Sequence, residues 1–157
     1  CTLALHDALR ILAYYVTKAL NANGSLAEAK ANMGLIALKS GDIASAERYI
    51  SSATGANGLS EIVGNLNLAK GNFAQAEKDF GEICSNSAAL AQILNKNYAA
   101  AGNTLKNIKN ADATTEYLKA ILASRLGNKA DAAVALQRAL AKDSSYAQYA
   151  DNDLELK

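Results

Sequence analysis

Small and large apolar residues recur along this chain at helical spacing, and each recurrence follows the same punctuation. Ala46, Ile50 and Ala53 form one such stripe. Ala76, Phe80 and Ile83 form a second, Ala101, Leu105 and Ile108 a third, and Ala132, Leu136 and Ala139 a fourth. Steps of three and four residues place each set on one face of a helix. Ahead of three of the stripes stands glycine followed by Asp or Asn: Gly41-Asp42, Gly71-Asn72 and Gly127-Asn128. In the remaining one Lys96-Asn97 takes that place. Glycine accepts the left-handed conformation that closes a helix, and an Asp or Asn side chain caps the free N–H groups of the next helix. The pattern therefore predicts helical hairpins, each turning at the Gly-Asx pair. The small residue one turn into the second helix lets the paired helices approach, and the large residue one turn further fills the space between them.

The hairpin turns are unevenly spaced. Gly41 and Gly71 lie 30 positions apart, Gly71 and Lys96 lie 25 apart, and Lys96 and Gly127 lie 31 apart. The third hairpin is therefore expected to have a shortened first helix, about 87–95. At the front, 3–20 reads as an amphipathic helix with His6, Asp7, Arg10 and Lys18 mostly off its apolar face. Placing Ala8, Leu12 and Tyr15 in the small, large and closing positions makes it a second-type helix. Ser25 and Glu28 read as a capping box opening the next helix. At the back, Ser144 or Ser145 is expected to cap a last helix from Tyr146 to about Leu156.

Composition agrees with an all-α chain: half the residues are hydrophobic, dominated by Ala and Leu, and there is no proline. Alanine and leucine are strong helix formers, whereas proline breaks helix interiors. With 157 residues, the chain is long enough for one domain with a substantial core. The formal net charge is +1, with acidic and basic residues spread throughout, so no basic stripe suited to nucleic acid stands out. The longest unbroken apolar run, 11–16, is too short for a span, which needs about 20 residues.

Little chemistry is legible. The two cysteines, Cys1 and Cys84, make neither a disulfide framework nor a metal site. Cys84 is expected to be a small buried side chain near a helix end. Cys1 fits the start of a mature lipoprotein or of a fragment, and the helical pattern beginning at Leu3 without a spacer favours the fragment. The single histidine, His6, has no nucleophile or ligand partner nearby in sequence. No phosphate loop, dinucleotide fingerprint or zinc motif appears. Gly24, Gly41, Gly71 and Gly102 read as helix breakers, and Asn23-Gly24-Ser25 as a turn before an N-cap rather than a glycosylation acceptor. Glu47, Glu77 and Asp79 read as solvated carboxylates beside cations. Neither enzymatic activity nor a cofactor is expected.

The Gly-Asp/Asn-x-x-x-Ala core resembles the tetratricopeptide repeat family over roughly 26–142. The resemblance puts Gly34, Gly64, Ala89 and Ala120 at the small position of each first helix. The chain departs from the family at Lys30, Ser60 and Glu116, where a large aromatic is usual, and in its lack of proline after the second helices. The implied fold is a right-handed α-α superhelix of about four hairpins with an unpaired helix at each end. Its divisions are a leading helix (1–24), repeats at 26–56, 57–84, 85–110 (the shortened one) and 111–143, and a terminal helix at 144–157.

The resemblance further implies a monomeric, non-enzymatic scaffold that holds a protein or peptide segment against its first helices. On that mapping the face consists of Glu28, Ala31, Leu35 and Leu38; then Glu61, Asn65 and Leu68; then Tyr117, Ile121, Ser124 and Arg125. Ala31 and Leu35 replace the lysine and asparagine of the family's carboxylate clamp, so an acidic chaperone tail is not the expected partner. The alternative functions are a structural, accessory stretch of a larger bacterial envelope or outer-membrane-associated protein and, more weakly, a helical enzyme or small-ligand carrier. A periplasmic or outer-membrane-associated location is favoured over a cytoplasmic one.

Overall fold

The computed structural model describes residues 2–24 and 26–151, with side chains from residue 8 onward. Cys1, Ser25 and the side chain of His6 lie outside the described residues, as do the expectations placed on them. Among the described residues the regular structure is all helical: α1 (Thr2–Ala22), α2 (Ala27–Lys39), α3 (Ile43–Ser51), α4 (Leu59–Ala69), α5 (Phe73–Phe80), α6 (Asn86–Leu94), α7 (Tyr98–Asn107), α8 (Ala113–Arg125), α9 (Lys129–Lys142) and the short α10 (Ala147–Ala150). The chain forms two compact units, Cys1–Phe80 and Gly81–Lys157.

The four hairpin turns close in one way. The second residue after each first helix is left-handed, with φ of 79° at Gly41, 78° at Gly71, 62° at Lys96 and 78° at Gly127. The following amide then donates back five residues: Asp42 to the Ala37 carbonyl at 2.9 Å, and Asn72, Asn97 and Asn128 to those of Asn67, Gln92 and Ala123 at 2.8 Å. This is the Schellman closure, and it satisfies carbonyls that the helix end leaves open. The Asx side chain next caps the second helix: Asp42 accepts from the Ser45 amide at 3.0 Å, Asn97 from Ala100 at 3.4 Å and Asn128 from Asp131 at 3.2 Å. Asn72 behaves differently, donating its side-chain amide to Asn67 Oδ1 at 3.2 Å.

In the first unit, α2 pairs with α3 and α4 with α5, while α4 also packs on both α2 and α3. Ala37, Ala46, Ile50 and Leu66 form a core between these hairpins, and Ala31, Ala53 and Ala56 form a second cluster. The helix crossings depend on missing side chains. A Cβ built on Gly34 would lie 2.5 Å from Ile50 Cγ1, and one on Gly64 would lie 2.8–2.9 Å from three atoms of the Phe80 ring. Both large side chains are buried, so neither has free space to move into.

The second unit repeats the arrangement: α6 pairs with α7 and α8 with α9, and α8 packs on both α6 and α7. The shortened first helix is present as the nine residues of α6. Alanine takes the small position here. Ala89 and Ala101 are fully buried with Ile93, Leu105, Leu118 and Leu122. Polar bonds reinforce the α6–α8 pair. Asp112 and Thr115 form a capping box at the start of α8. Asn86 donates to Asp112 at 3.0 Å and accepts from Thr115 Oγ1 at 2.9 Å.

Several expectations are corrected. On α1 the inward stripe is buried Val16 with half-buried Leu9, Ala13 and Leu20, while Ala8, Leu12 and Tyr15 are exposed. The two stripes have equally good helical spacing, and packing on α2 selects the first. Gly102 lies inside α7 and breaks nothing. Cys84 is exposed in the connection between α5 and α6. At the C-terminal end Asp143, not a serine, accepts from the Ser145 amide at 2.9 Å and opens a single 3-10 turn (Ser144–Tyr146) before α10. The described helix there stops at Ala150, and the rest of the expected last helix lies outside the described residues. Asp79 is held by amides, Asn67 Nδ2 at 2.7 Å and Gln75 Nε2 at 2.8 Å, rather than set beside a cation. Glu47 does meet one, Lys70 at 2.8 Å.

Candidate functional site

The residues assigned to a binding face fall on the first helix of three hairpins, but packing treats them differently. On α2, Glu28 is exposed and Leu35 half-buried. Leu38 is packed against the Ala37–Ile50 core, and Ala31 is buried with Ala53 and Ala56. On α4, Glu61 and Leu68 are half-buried. Asn65 donates its side-chain amide to the Glu61 carbonyl at 2.9 Å, within its own helix. In the first unit Glu28 and Leu35 thus stand on α2, and Glu61 and Leu68 on α4, two helices in mutual contact.

On α8 the same mapping meets internal contacts. Tyr117 stacks on Tyr146 with ring centroids 5.1 Å apart, and Tyr146 on Tyr149 at 5.8 Å. The Tyr146 hydroxyl also shares a 2.6 Å hydrogen bond with that of Thr114. Ile121 packs against the Ala89–Leu122 core. Arg125 Nη1 donates to the Ile93 carbonyl at 2.9 Å, tying the end of α8 to the end of α6. Ser124 is half-buried. Three of the four residues proposed on α8 therefore carry tertiary structure.

Two buried polar side chains escaped the sequence reading. Glu116 is 6% exposed and pairs through Oε1 with Lys119 Nζ at 2.7 Å. Gln92 on α6 is equally buried. Glu116 Oε2 and Gln92 Oε1 have no hydrogen-bond partner. A charge at a position that faces a neighbouring hairpin looks like surface in a linear reading, since only the tertiary packing buries it.

The carboxylates with altered acidity are helix caps. Hydrogen bonds from Ser45 hold Asp42 below the ordinary carboxylate value, and bonds from Ser145 do the same for Asp143. At Asp112 burial works in the raising direction, but bonds from the Thr115 amide and hydroxyl and from Asn86 outweigh it and lower the value. Hydrogen bonds to the charged form favour that form. No group of three or more His, Cys, Asp or Glu side chains among the described residues could hold a metal ion. No helix among them is long and apolar enough to cross a membrane.

A groove of about 570 Å³ lies in the second unit between α7, α8 and the start of α9. Its walls are mainly apolar, and none of the residues of the first-helix mapping lines it. Comparison with family models, curated proteins and solved structures gives no match for this chain.

Proposed function

We propose that this chain is a tetratricopeptide-like scaffold that holds a segment of another protein, without catalysing a reaction. The observation carrying this reading is the pairing of first helices in the first unit. Helices α2 and α4 pack against each other, α2 carrying exposed Glu28 and half-buried Leu35 and α4 carrying half-buried Glu61 and Leu68. Adjacent helices with mixed apolar and acidic positions suit a helical or extended segment that contributes apolar anchors and basic neighbours. The four Schellman turns, three of them followed by an Asx cap, support the family reading, because they build helix–turn–helix units from local chemistry alone.

The test is a pulldown with the intact chain as bait beside a Leu35→Asp/Leu68→Asp variant, with helicity checked by circular dichroism. Loss of the captured partners from a folded variant supports the reading. Equal recovery by both removes this face from consideration.

A second reading, a structural spacer within a larger assembly, draws on α1. There Ile11, Leu12, Tyr14 and Tyr15 are 48–63% exposed on one helix. An apolar surface of this kind marks a contact with some other body.

A further inference from the structure

Two Asn-Gly pairs occur in the chain, Asn23-Gly24 and Asn57-Gly58, and they are held differently. In such a pair the asparagine side chain is open to attack by its own backbone, because glycine has no side chain to shield the following nitrogen. Asn23 follows α1 directly, and its backbone is bonded on both sides. Its amide donates to the Ala19 carbonyl at 2.9 Å, and its carbonyl accepts from the Leu26 amide at 3.3 Å. Asn57 stands exposed in the connection between α3 and α4. Neither Asn57 nor the Gly58 amide enters a hydrogen bond with a described residue.

The surroundings of this pair, by contrast, are fixed. Ala56 is buried with Ala31 and Ala53, and Leu59 and Ile62 of α4 pack on the same cluster. Gly58 is the N-cap of α4, left-handed at φ 69°, and its carbonyl accepts from the Glu61 amide at 3.1 Å. An exposed reacting pair therefore lies between a buried anchor and the first turn of a helix, and packing sets the length of chain between them.

We propose that Asn57-Gly58 is a self-modification site, which converts Asn57 to aspartate and isoaspartate and, through the isoaspartate, loosens the start of α4. The Gly58 nitrogen attacks Asn57 Cγ, and the new N–C bond closes a five-membered succinimide. The side-chain nitrogen leaves as ammonia, taking the proton displaced from the Gly58 amide. Water then opens the ring, and no electrons are gained or lost. Cleavage of the new bond gives aspartate on an unchanged backbone. Cleavage between the Gly58 nitrogen and the backbone carbonyl of residue 57 gives isoaspartate, whose backbone runs through Cβ and Cγ. The aspartate sets a carboxylate at the N-terminus of α4, where the helix dipole favours it. The isoaspartate inserts an extra backbone carbon between Ala56 and Gly58, so either the Ala56 anchor or the packing of Leu59 and Ile62 must give.

For the test, the intact chain is held at mildly alkaline pH, where the attacking nitrogen loses its proton more readily. Samples taken over time are digested with trypsin and read by tandem mass spectrometry, with Asn23 as the internal reference. The expected result is the mass gain of an amide-to-acid change at residue 57, accumulating about tenfold or more faster than at Asn23, the rate equivalent of breaking one hydrogen bond. Electron-transfer fragmentation separates isoaspartate from aspartate. The urea midpoint of the wild type is expected to fall as isoaspartate accumulates, while Asn57→Ala keeps its midpoint through the same incubation. Asn57 lies outside the left-handed region, so alanine is accommodated there. Asn57→Asp carries the charge on a normal backbone and is expected to unfold at the midpoint of fresh wild type. An unmodified Asn57, equal accumulation at Asn57 and Asn23, or a constant midpoint as isoaspartate accumulates overturns the proposal. So does an Asn57→Asp variant as unstable as the aged protein, since charge rather than a lengthened backbone would then be acting. None of these readouts uses a partner, so their failure is distinguishable from failure of the scaffold reading.

Discussion

The two units build the same hairpin with different small residues. In the first, glycine stands on α2 and α4 and a bulky side chain from the second helix lies directly over it, Ile50 over Gly34 and the Phe80 ring over Gly64. In the second, alanine is buried on α6 among branched aliphatics, and polar bonds from Asn86, Thr115 and Arg125 hold α6 to α8. The first solution depends on shape, because a flat ring or a branched chain occupies the volume a methyl group would take. The second depends less on close approach and more on directed hydrogen bonds between first helices. Identical hairpin geometry thus tolerates different means of holding neighbours together.

The comparison can be broken most severely at Phe80. Phe80→Ala is expected to destabilise the protein by about 3–5 kcal/mol through transfer and cavity terms, measured by urea denaturation. Next in size, Gly64→Ala should cost about 1–3 kcal/mol by overpacking, with Gly34→Ala comparable. Combining Gly64→Ala with Phe80→Ala sharpens the point, because the added methyl then enters vacated space. The double variant should be no less stable than Phe80→Ala alone, and additive losses would refute the shape argument. In the second unit a Lys96→Gly substitution should stabilise by about 1 kcal/mol, since lysine is strained in the left-handed position that glycine adopts freely.

The smallest expected effect is on pH dependence. The folded value of Asp112 lies below its unfolded one, so its stabilisation is complete above the unfolded value and is lost as pH falls through the folded one. An Asp112→Asn variant should therefore lose less stability than the wild type on acidification below about pH 4. Parallel acid-denaturation curves for the two would show that the capping box has no such linkage.

The hairpin turns were legible because glycine conformation and Asx capping are decided within a few residues. Even the lysine at position 96 follows the pattern of its glycine counterparts. The face of α1 was misassigned because Ala8–Leu12–Tyr15 and Leu9–Ala13–Val16 satisfy one periodicity equally, and only contact with α2 separates them. Gly102 has the residue type of a helix breaker, but it lies inside α7, which continues to Asn107. The candidate site was less legible still. Leu38 and Ile121 joined the core, and Arg125 found a carbonyl 32 positions away, a contact that no local pattern encodes. The groove draws its lining from separate helices, which no local pattern brings together.

The turn closures have a kinetic consequence. Each joins an amide to a carbonyl five residues earlier, so pairing a first helix with its second requires closing only a very short loop. Contacts this local let a chain collapse quickly, and repeating units can begin ordering at any hairpin and spread to the next. Asymmetry enters at the turn through Lys96, where the unfavoured left-handed backbone slows that nucleus relative to its glycine counterparts. Folding is then expected to start elsewhere and reach the α6–α7 hairpin late.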